Sequence, residues 1–197
     1  MLPEQINQCI EAFNALPGIG NKLAQRIVFY LLRSGKEKNL QDKISNLRTN
    51  IVRCQKCRNY SNQQLCSICL DPSRQANTIL VISSPLDLIA FERTQSYHGL
   101  YHVLHGEIKP IDGMGPEDLE IQSLFDRIHQ GNIEEVILCT NPNTEGETTA
   151  IYLRQGISKI NPNIKITRLA HGLPMGAELE FADTMTLKRS LNDRVKL

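Results

Sequence analysis

The stretch EEVILCTNPNTEGETTA, residues 134–150, joins an apolar run to a polar turn and a helix-compatible segment. This order is typical of a buried strand that leads directly into a helix, the repeating unit of a parallel α/β sheet. A strand that ended in Asp-x-Asp and opened into Glu-Gly-Glu would make a plausible Mg²⁺ site, because hard cations prefer carboxylate oxygens. Both Asp positions hold amides here, Asn141 and Asn143. The stretch therefore has the frame of a metal-dependent active site without its usual charges.

Further apolar runs occur on both sides of this stretch. The segments NTILVIS (77–83) and IKITRLA (164–170) predict two more buried strands. Helix-compatible segments lie between the strands, and a last short helix is predicted at 184–193. Strands that alternate with helices indicate an α/β fold with a mainly parallel sheet flanked by helices. We expect this domain to span residues 77–172 and a C-terminal segment to follow at 173–197.

Four of the six cysteines fall within the segment CQKCRNYSNQQLCSIC. They form two C-x2-C pairs separated by eight residues, Cys54 and Cys57 followed by Cys66 and Cys69. Each C-x2-C turn lets two sulfurs converge on one ion, and four thiolates suit a tetrahedral Zn²⁺ that keeps no open position for water. We therefore predict one structural Zn²⁺ per chain, held by a knuckle that spans residues 54–76.

The N-terminal residues 1–53 have the pattern of three helices. Apolar side chains recur at helical intervals on both sides of LPGIG, residues 16–20. Gly35 is a plausible end of the second helix. A third helix is predicted over 39–53, where it leads into the zinc knuckle.

The turn of this predicted helical hairpin has the features of a phosphate-binding site. Gly18 and Gly20 permit a tight turn and a close approach of backbone N–H groups to a phosphate. Lys22 and Arg26 lie four residues apart, on one face of the next helix, where both could reach a nucleic-acid backbone. An ordinary hairpin with solvated basic residues would have the same pattern. The basic character of this half of the chain favours DNA binding.

The charge is distributed unevenly along the chain. Residues 1–78 carry 11 Lys and Arg against 5 Asp and Glu, whereas residues 79–197 carry 11 against 16. Such a split is typical of a basic half that meets a polyanion. No apolar run approaches the roughly 20 residues of a membrane span, and the N-terminus lacks a secretory pattern. We expect a cytoplasmic protein with no membrane partner.

The stretch LPGIGNKLAQR resembles the helix-hairpin-helix DNA-binding motif, and the similarity extends over nearly the whole chain. A helix-hairpin-helix, a C4 zinc knuckle and a domain similar to Toprim, the topoisomerase–primase fold, follow one another as in the RecR family of bacterial recombination mediators. The stretches that agree are LPGIGNKLAQRI, CQKCRNYS, CSIC, ERT, YHVLHGEIKPIDGMGPEDL, TNPNTEGE and RLAHGLPMG.

This resemblance implies a DNA-binding scaffold that helps to load recombinase onto single-stranded DNA. Family members work with a partner called RecO, and often also with RecF. The resemblance further implies a homo-oligomer, a tetrameric ring, whose assembly involves the helix-hairpin-helix ends and the C-terminal segment 173–197.

The resemblance also identifies what the opening stretch lacks. Toprim enzymes hold Mg²⁺ with an acidic residue after the first strand and an Asp-x-Asp after a later one. Here the first strand ends in Ser83 and Ser84, and the later motif supplies Asn141 and Asn143. Amide oxygens can coordinate a cation, but they do not carry the negative charge that phosphoryl transfer requires.

The acidic residues that remain beside this motif are Glu145 and Glu147, and the first turn of a helix favours carboxylates without any metal. We therefore expect no enzymatic activity, and we predict that both side chains contribute to RecO binding. The alternative is a metal-dependent Toprim nuclease or primase-like enzyme that uses these two carboxylates. A third interpretation is a protein-interaction adaptor whose basic hairpin is incidental.

Three histidines offer a second metal pattern. His98, His102 and His105 form H-x3-H-x2-H, a spacing that would place them on one face of a helix. The surrounding sequence contains two glycines and does not favour a helix. We therefore favour hydrogen-bonded structural histidines over a metal site.

Overall fold

The computed structural model describes residues 2–170, 172–173, 176 and 178–194. The chain forms two units, Met1–Ile51 and Val52–Leu197. The first is helical and the second is α/β, as the sequence predicts. The four-segment division with boundaries at 53, 76 and 172 stays a prediction.

The helical unit consists of α1 (Glu4–Asn14), α2 (Asn21–Ser34) and α3 (Glu37–Asn50). Apolar side chains at helical spacing on the first two helices meet in a small core. Its buried members are Ile10, Ala24 and Val28, packed against Ile6, Cys9, Phe13 and Ile19. Helix α3 buries no residue. It ends before the predicted limit at residue 53, because Val52 and Arg53 form a strand instead.

The second unit begins with the cysteine-rich segment. Strands β1 (Val52–Arg53) and β2 (Tyr60–Ser61) pair antiparallel, and the single-turn helix α4 (Ser67–Leu70) follows. The first C-x2-C pair lies in the loop between the strands, and the second begins at the N-cap of α4. Short antiparallel strands and a helical turn thus present the two cysteine pairs.

The α/β part contains a four-stranded parallel sheet in the order β4-β3-β5-β6. Its strands are β3 (Gln75–Ile82), β4 (Gly99–Val103), β5 (Glu135–Cys139) and β6 (Lys165–Arg168), and the helices are α5 (Pro85–Thr94), α6 (Ile121–Gln130), α7 (Thr144–Ile160) and α8 (Thr184–Asn192). Three of the strands lie where apolar runs predict them. Strand β4 lies in the histidine-containing segment, where the sequence does not favour a helix and no apolar run predicts a strand.

Helices cover both faces of the sheet because alternate side chains of its strands are apolar on both sides. Ile79 and Val81 of β3 pack with residues of α6 and α7 in the larger core. Leu80 and Ile82 pack on the opposite face, against Leu88 of α5. The sheet is thus the middle layer of a three-layered domain. Because its four strands are parallel, their carboxyl ends all lie at the same end of the sheet.

Among the described residues, no helix has the length and apolar composition needed to cross a membrane.

Candidate functional site

The four cysteines of the knuckle converge on one point. Their sulfur atoms all lie within 4.8 Å of one another, and Cys54, Cys57 and Cys66 are buried while Cys69 is half-buried. Within the described ranges this is the single group of three or more His, Cys, Asp or Glu residues whose ligand atoms come together in this way. Four thiolates in this arrangement match a structural Zn²⁺ site with all positions filled by protein.

Backbone hydrogen bonds shape the two cysteine turns. The N–H of Arg58 donates to Cys54 O (2.9 Å), and Arg58 has φ of +64°, which closes the first turn sharply. The N–H of Cys66 donates to the sulfur of Cys54 (3.4 Å). This bond links the second cysteine turn to the sulfur of the first.

The thiols share their protons unequally. Cys57 and Cys66 approach to 3.5 Å between sulfurs. Hydrogen bonding to Cys66 raises the pKa of the Cys57 thiol, and the same contact with Cys57 lowers the pKa of Cys66 to about 2. Metal binding requires the thiolate form of the cysteines, so it must displace the protons that the thiols hold.

The knuckle is docked onto the open edge of the sheet at β4. The N–H of Val103 donates to Cys57 O (2.9 Å), and Nε2 of His105 donates to Arg58 O (2.7 Å). Glu120 adds ion pairs to Arg53 (2.7 Å) and Arg58 (3.2 Å). These contacts cover polar groups that an edge strand would otherwise expose.

Two of the three histidines support this docking. His102 is fully buried in β4 and bonds through Nε2 to Glu120 O (2.8 Å), and burial lowers its pKa to about 4. His105 bonds to the knuckle, and His98 is exposed. The three side chains do not form a metal group among the described residues.

A buried carboxylate lies at the carboxyl ends of β3 and β5, and sequence reasoning missed it. Glu107 is 4% exposed, and its Oε1 accepts a hydrogen bond from Ser83 Oγ (2.6 Å). The same oxygen accepts from the backbone N–H and the Nδ2 of Asn141, both at 2.9 Å. The view that Glu145 and Glu147 are the only acidic groups beside this motif is thus wrong, because the loop after β4 brings a third carboxylate to the strand ends.

This contact gives a physical reason for the amide at Asn141. The side-chain amide of Asn141 donates a hydrogen bond to Glu107, whereas an aspartate would place a second negative charge against the buried carboxylate. Asn143 has a different task, since its Oδ1 caps α7 by accepting from Gly146 N (2.8 Å). A Cβ at Gly146 would overlap the carbonyl oxygen of Asn141, so this tight turn requires glycine.

The two predicted partner-binding carboxylates have different surroundings. Glu145 is half-buried in the first turn of α7. Glu147 pairs with Arg168 of β6 (3.1 Å) and Arg189 of α8 (3.4 Å), and thereby joins the C-terminal helix to the strand ends. Their role in binding a partner stays a prediction.

The glycine turn between α1 and α2 has the predicted form of a hairpin. Gly18 has φ of +80°, a conformation that favours glycine, while Gly20 is the N-cap of α2. Nothing lies within 4 Å of a Cβ placed at either glycine, so the space beside the turn is open. Lys22 and Arg26 are exposed on the first turns of α2. The assignment of these four residues to DNA binding stays a prediction.

The first prediction concerns the metal. Purified protein should carry one Zn²⁺ per chain, and Cys66→Ser should lower both the zinc content and the Tm, because metal binding energy is folding energy in a site of this kind. Elemental analysis measures the first and thermal unfolding the second. Cys9→Ser, which removes a thiol from the helical unit, should leave the zinc content at one. Wild-type protein prepared without chelators and free of zinc would contradict this assignment.

The second prediction concerns Glu107 and Asn141. Asn141→Asp creates a like-charge pair and Glu107→Gln removes the charge-assisted acceptor, so each should lower the free energy of unfolding by about 1–3 kcal/mol. In Glu107→Gln/Asn141→Asp the donor and the carboxylate exchange places, and at least half of the summed loss should be recovered. Urea unfolding of the four proteins gives the coupling energy. Strictly additive losses would show that the two side chains act independently.

Comparisons with known proteins agree with this architecture. Four family models match in chain order: the RecR helix-hairpin-helix at 6–46, the RecR four-cysteine zinc finger domain at 51–71, the Toprim domain at 77–170 and the RecR C-terminal model at 172–195. The chain is similar to the recombination protein RecR of Herpetosiphon aurantiacus, with 47% identity over 98% of this chain and 94% of the relative. It is also similar to those of Moorella thermoacetica (44%, over 99% and 98%) and Dehalococcoides mccartyi (45%, over 96% and 93%). The chain therefore belongs to the RecR family, and its four-cysteine cluster is the zinc site of that family's zinc finger.

Proposed function

We propose that this protein is a DNA-binding mediator of recombinational repair that acts in the cytoplasm and catalyses no chemical step itself. The observation that carries the proposal is the helical hairpin, in which open space beside two glycines adjoins two exposed basic side chains. Backbone N–H groups at the start of α2 and the charges of Lys22 and Arg26 suit the phosphates of DNA. Such contacts position a scaffold on DNA without reading its sequence.

The strand ends support a non-enzymatic role. Magnesium-dependent phosphoryl transfer requires several anionic oxygens that face the cation. Here Oε1 of Glu107 already accepts three hydrogen bonds, and Glu147 is paired with two arginines. The alternative, a Toprim nuclease or primase-like enzyme, predicts DNA cleavage or nucleotide polymerisation with Mg²⁺ or Mn²⁺. We expect neither.

Exposed apolar side chains support assembly into a homo-oligomer. In the helical unit, Leu32 is 61% exposed and Leu47 is 62% exposed. In the C-terminal segment, Phe181 is 80% exposed and Leu191 is 67% exposed. Apolar surface of this kind is typical of interfaces between chains. We propose a tetrameric ring in which both segments take part, with a molar mass about four times that of the 22.3 kDa chain.

The third prediction tests the DNA interface. Lys22→Ala/Arg26→Ala should weaken binding to all DNA sequences alike, because phosphate contacts release condensed counterions. Each lost contact should flatten the plot of log affinity against log salt by roughly 0.9 on duplex DNA, for every chain engaged. DNA titrations across salt measure both quantities, and light scattering checks that the oligomer is intact.

Lys38→Ala/Lys43→Ala is the matched control, since it removes the same charge from exposed positions on α3 of the same unit. This control variant should keep most of the wild-type slope of log affinity against log salt. If the hairpin variant remains assembled and keeps both affinity and slope, the hairpin does not bind DNA. If both double variants lose affinity and slope to the same extent, the loss reflects the overall charge of the unit and not a specific contact of the hairpin.

The fourth prediction tests partner binding at α7. We propose that Glu145 and Glu147 contribute to a surface for RecO, through which the protein helps to load recombinase on single-stranded DNA, with RecF as a further partner. Because Glu147 already holds Arg168 and Arg189, Glu145→Lys is the sharper change. It should weaken the RecO complex at least tenfold, as expected when a like charge is placed in a charged interface.

Glu134→Lys provides the control, because Glu134 is exposed and lies just before β5. It is therefore at the amino-terminal end of the strand, whereas Glu145 follows the carboxyl end. Calorimetry with purified RecO measures the affinity of each variant. Unchanged affinity of Glu145→Lys would remove this residue from the interface. Metal-dependent DNA cleavage by the wild type, lost in the same variant, would instead support the enzyme alternative.

A further inference from the structure

The guanidinium of Arg127, a partly buried residue, lies between the sheet and the zinc knuckle. Its Nη1 donates to Tyr101 O of β4 (2.7 Å) and to Lys56 O (3.3 Å), the carbonyl directly before Cys57. Its Nε and Nη2 are buried and have no hydrogen-bond partner among the described residues. Among the described residues, Arg127 forms no ion pair with a carboxylate, in contrast to Arg53, Arg58 and Arg74.

A buried cation in this state requires a counter-charge. Guanidinium groups remain protonated in proteins, and removing one from water is unfavourable unless an anion or well-placed acceptors compensate. Two carbonyl oxygens satisfy one nitrogen of Arg127 and leave the other two without a partner. A neighbouring group that is anionic in the functional protein would supply the compensating charge.

The neighbouring cysteines become anionic when the metal binds. Four thiolates exceed the charge of one divalent ion, so a zinc tetrathiolate carries a net negative charge. The cysteine set fits zinc in donor type, number and mutual distance, and outer-shell donors commonly tune such sites. Burial lowers the pKa of Arg127, and the charges of Cys69, Cys57 and Cys54 act in the opposite direction.

We propose that Arg127 is the counter-ion of the zinc tetrathiolate and thereby couples metal binding to the docking of the knuckle on the sheet. The guanidinium holds Lys56 O on the knuckle and Tyr101 O on the sheet at the same time. With zinc bound, the negative charge of the cluster stabilises the buried cation. Without zinc the cysteines carry less negative charge than the tetrathiolate does, and the contact that Arg127 makes between knuckle and sheet is weakened.

The test is the zinc dependence of Arg127→Met. Competition with a chromophoric chelator should show zinc affinity reduced by roughly 10–100-fold, the range typical of lost outer-shell partners. In thermal unfolding the variant should have a lower Tm than wild type with zinc bound. After zinc removal with EDTA its Tm should equal or exceed that of wild type, because the variant no longer buries an uncompensated charge. This reversal separates a counter-ion from a residue that only packs.

Three further variants define the outcome. Lys56→Met removes an exposed charge from the knuckle loop itself and should leave zinc affinity nearly unchanged, because solvent screens that charge. Arg127→Lys keeps the charge and should lose less affinity than Arg127→Met. Arg127→Gln is a second neutral variant that retains a donor for Tyr101 O, and it should behave as Arg127→Met does.

Three results would overturn the proposal. The first is zinc affinity in Arg127→Met or Arg127→Gln that matches wild type. The second is a loss of Tm of the same size with and without zinc, which would assign Arg127 a packing role alone. Equal losses of zinc affinity in Arg127→Lys and the neutral variants would likewise exclude charge as the cause.

Discussion

The fold of the α/β unit depends on strand β3, which is hydrogen-bonded on both sides, to β4 and to β5, in parallel register. Its residues Ile79 to Ile82 are buried on both faces, so a slip by one position would exchange the two sets of side chains between different cores. Because the strands pair in parallel, the segments that follow them all leave the sheet at the same end. This one constraint brings Ser83, Asn141 and the loop that carries Glu107 together, although 24 and 34 residues separate Glu107 from its two partners.

The same strand order leaves β4 as an edge, and polar groups from three parts of the unit cover that edge. Arg74 donates to Gly99 O (3.3 Å), Arg127 to Tyr101 O, and Val103 N–H donates to Cys57 O. Alternate residues of a strand direct their backbone groups to the same side, which explains the spacing of two between these contacts. The zinc knuckle therefore acts as edge protection for the sheet as well as a metal site, and its integrity and that of the sheet are linked.

The sequence predicts the parts of this unit that depend on local patterns. Apolar runs identify β3, β5 and β6, and paired C-x2-C spacing identifies the four-cysteine cluster. Strand β4 is harder to recognise, because His102 interrupts its apolar character and is accommodated by a hydrogen bond to Glu120 O that only the folded chain provides. Glu107 and Arg127 escape prediction for the same reason. Their partners lie far away in sequence, and a single Glu or Arg has the pattern of a solvated surface residue until the fold buries it.

The carboxylate at the strand ends explains how a magnesium-binding frame can serve a scaffold. In an enzyme of this architecture the acidic oxygens must remain available to a cation, and the protein must tolerate their mutual repulsion. In this chain the amide of Asn141 donates to the carboxylate of Glu107, and Ser83 donates to the same oxygen. The carboxylate of Glu107 is therefore engaged by groups of the fold itself. Its hydrogen bonds link the ends of β3 and β5 to the loop after β4. Under the proposed function, the groups that would bind a metal in an enzyme instead stiffen the base of α7, the helix whose first turn presents Glu145. A rigid base lowers the conformational entropy lost when a partner binds, so under this proposal the hydrogen bonds that occupy Glu107 also prepare the first turn of α7 for recognition.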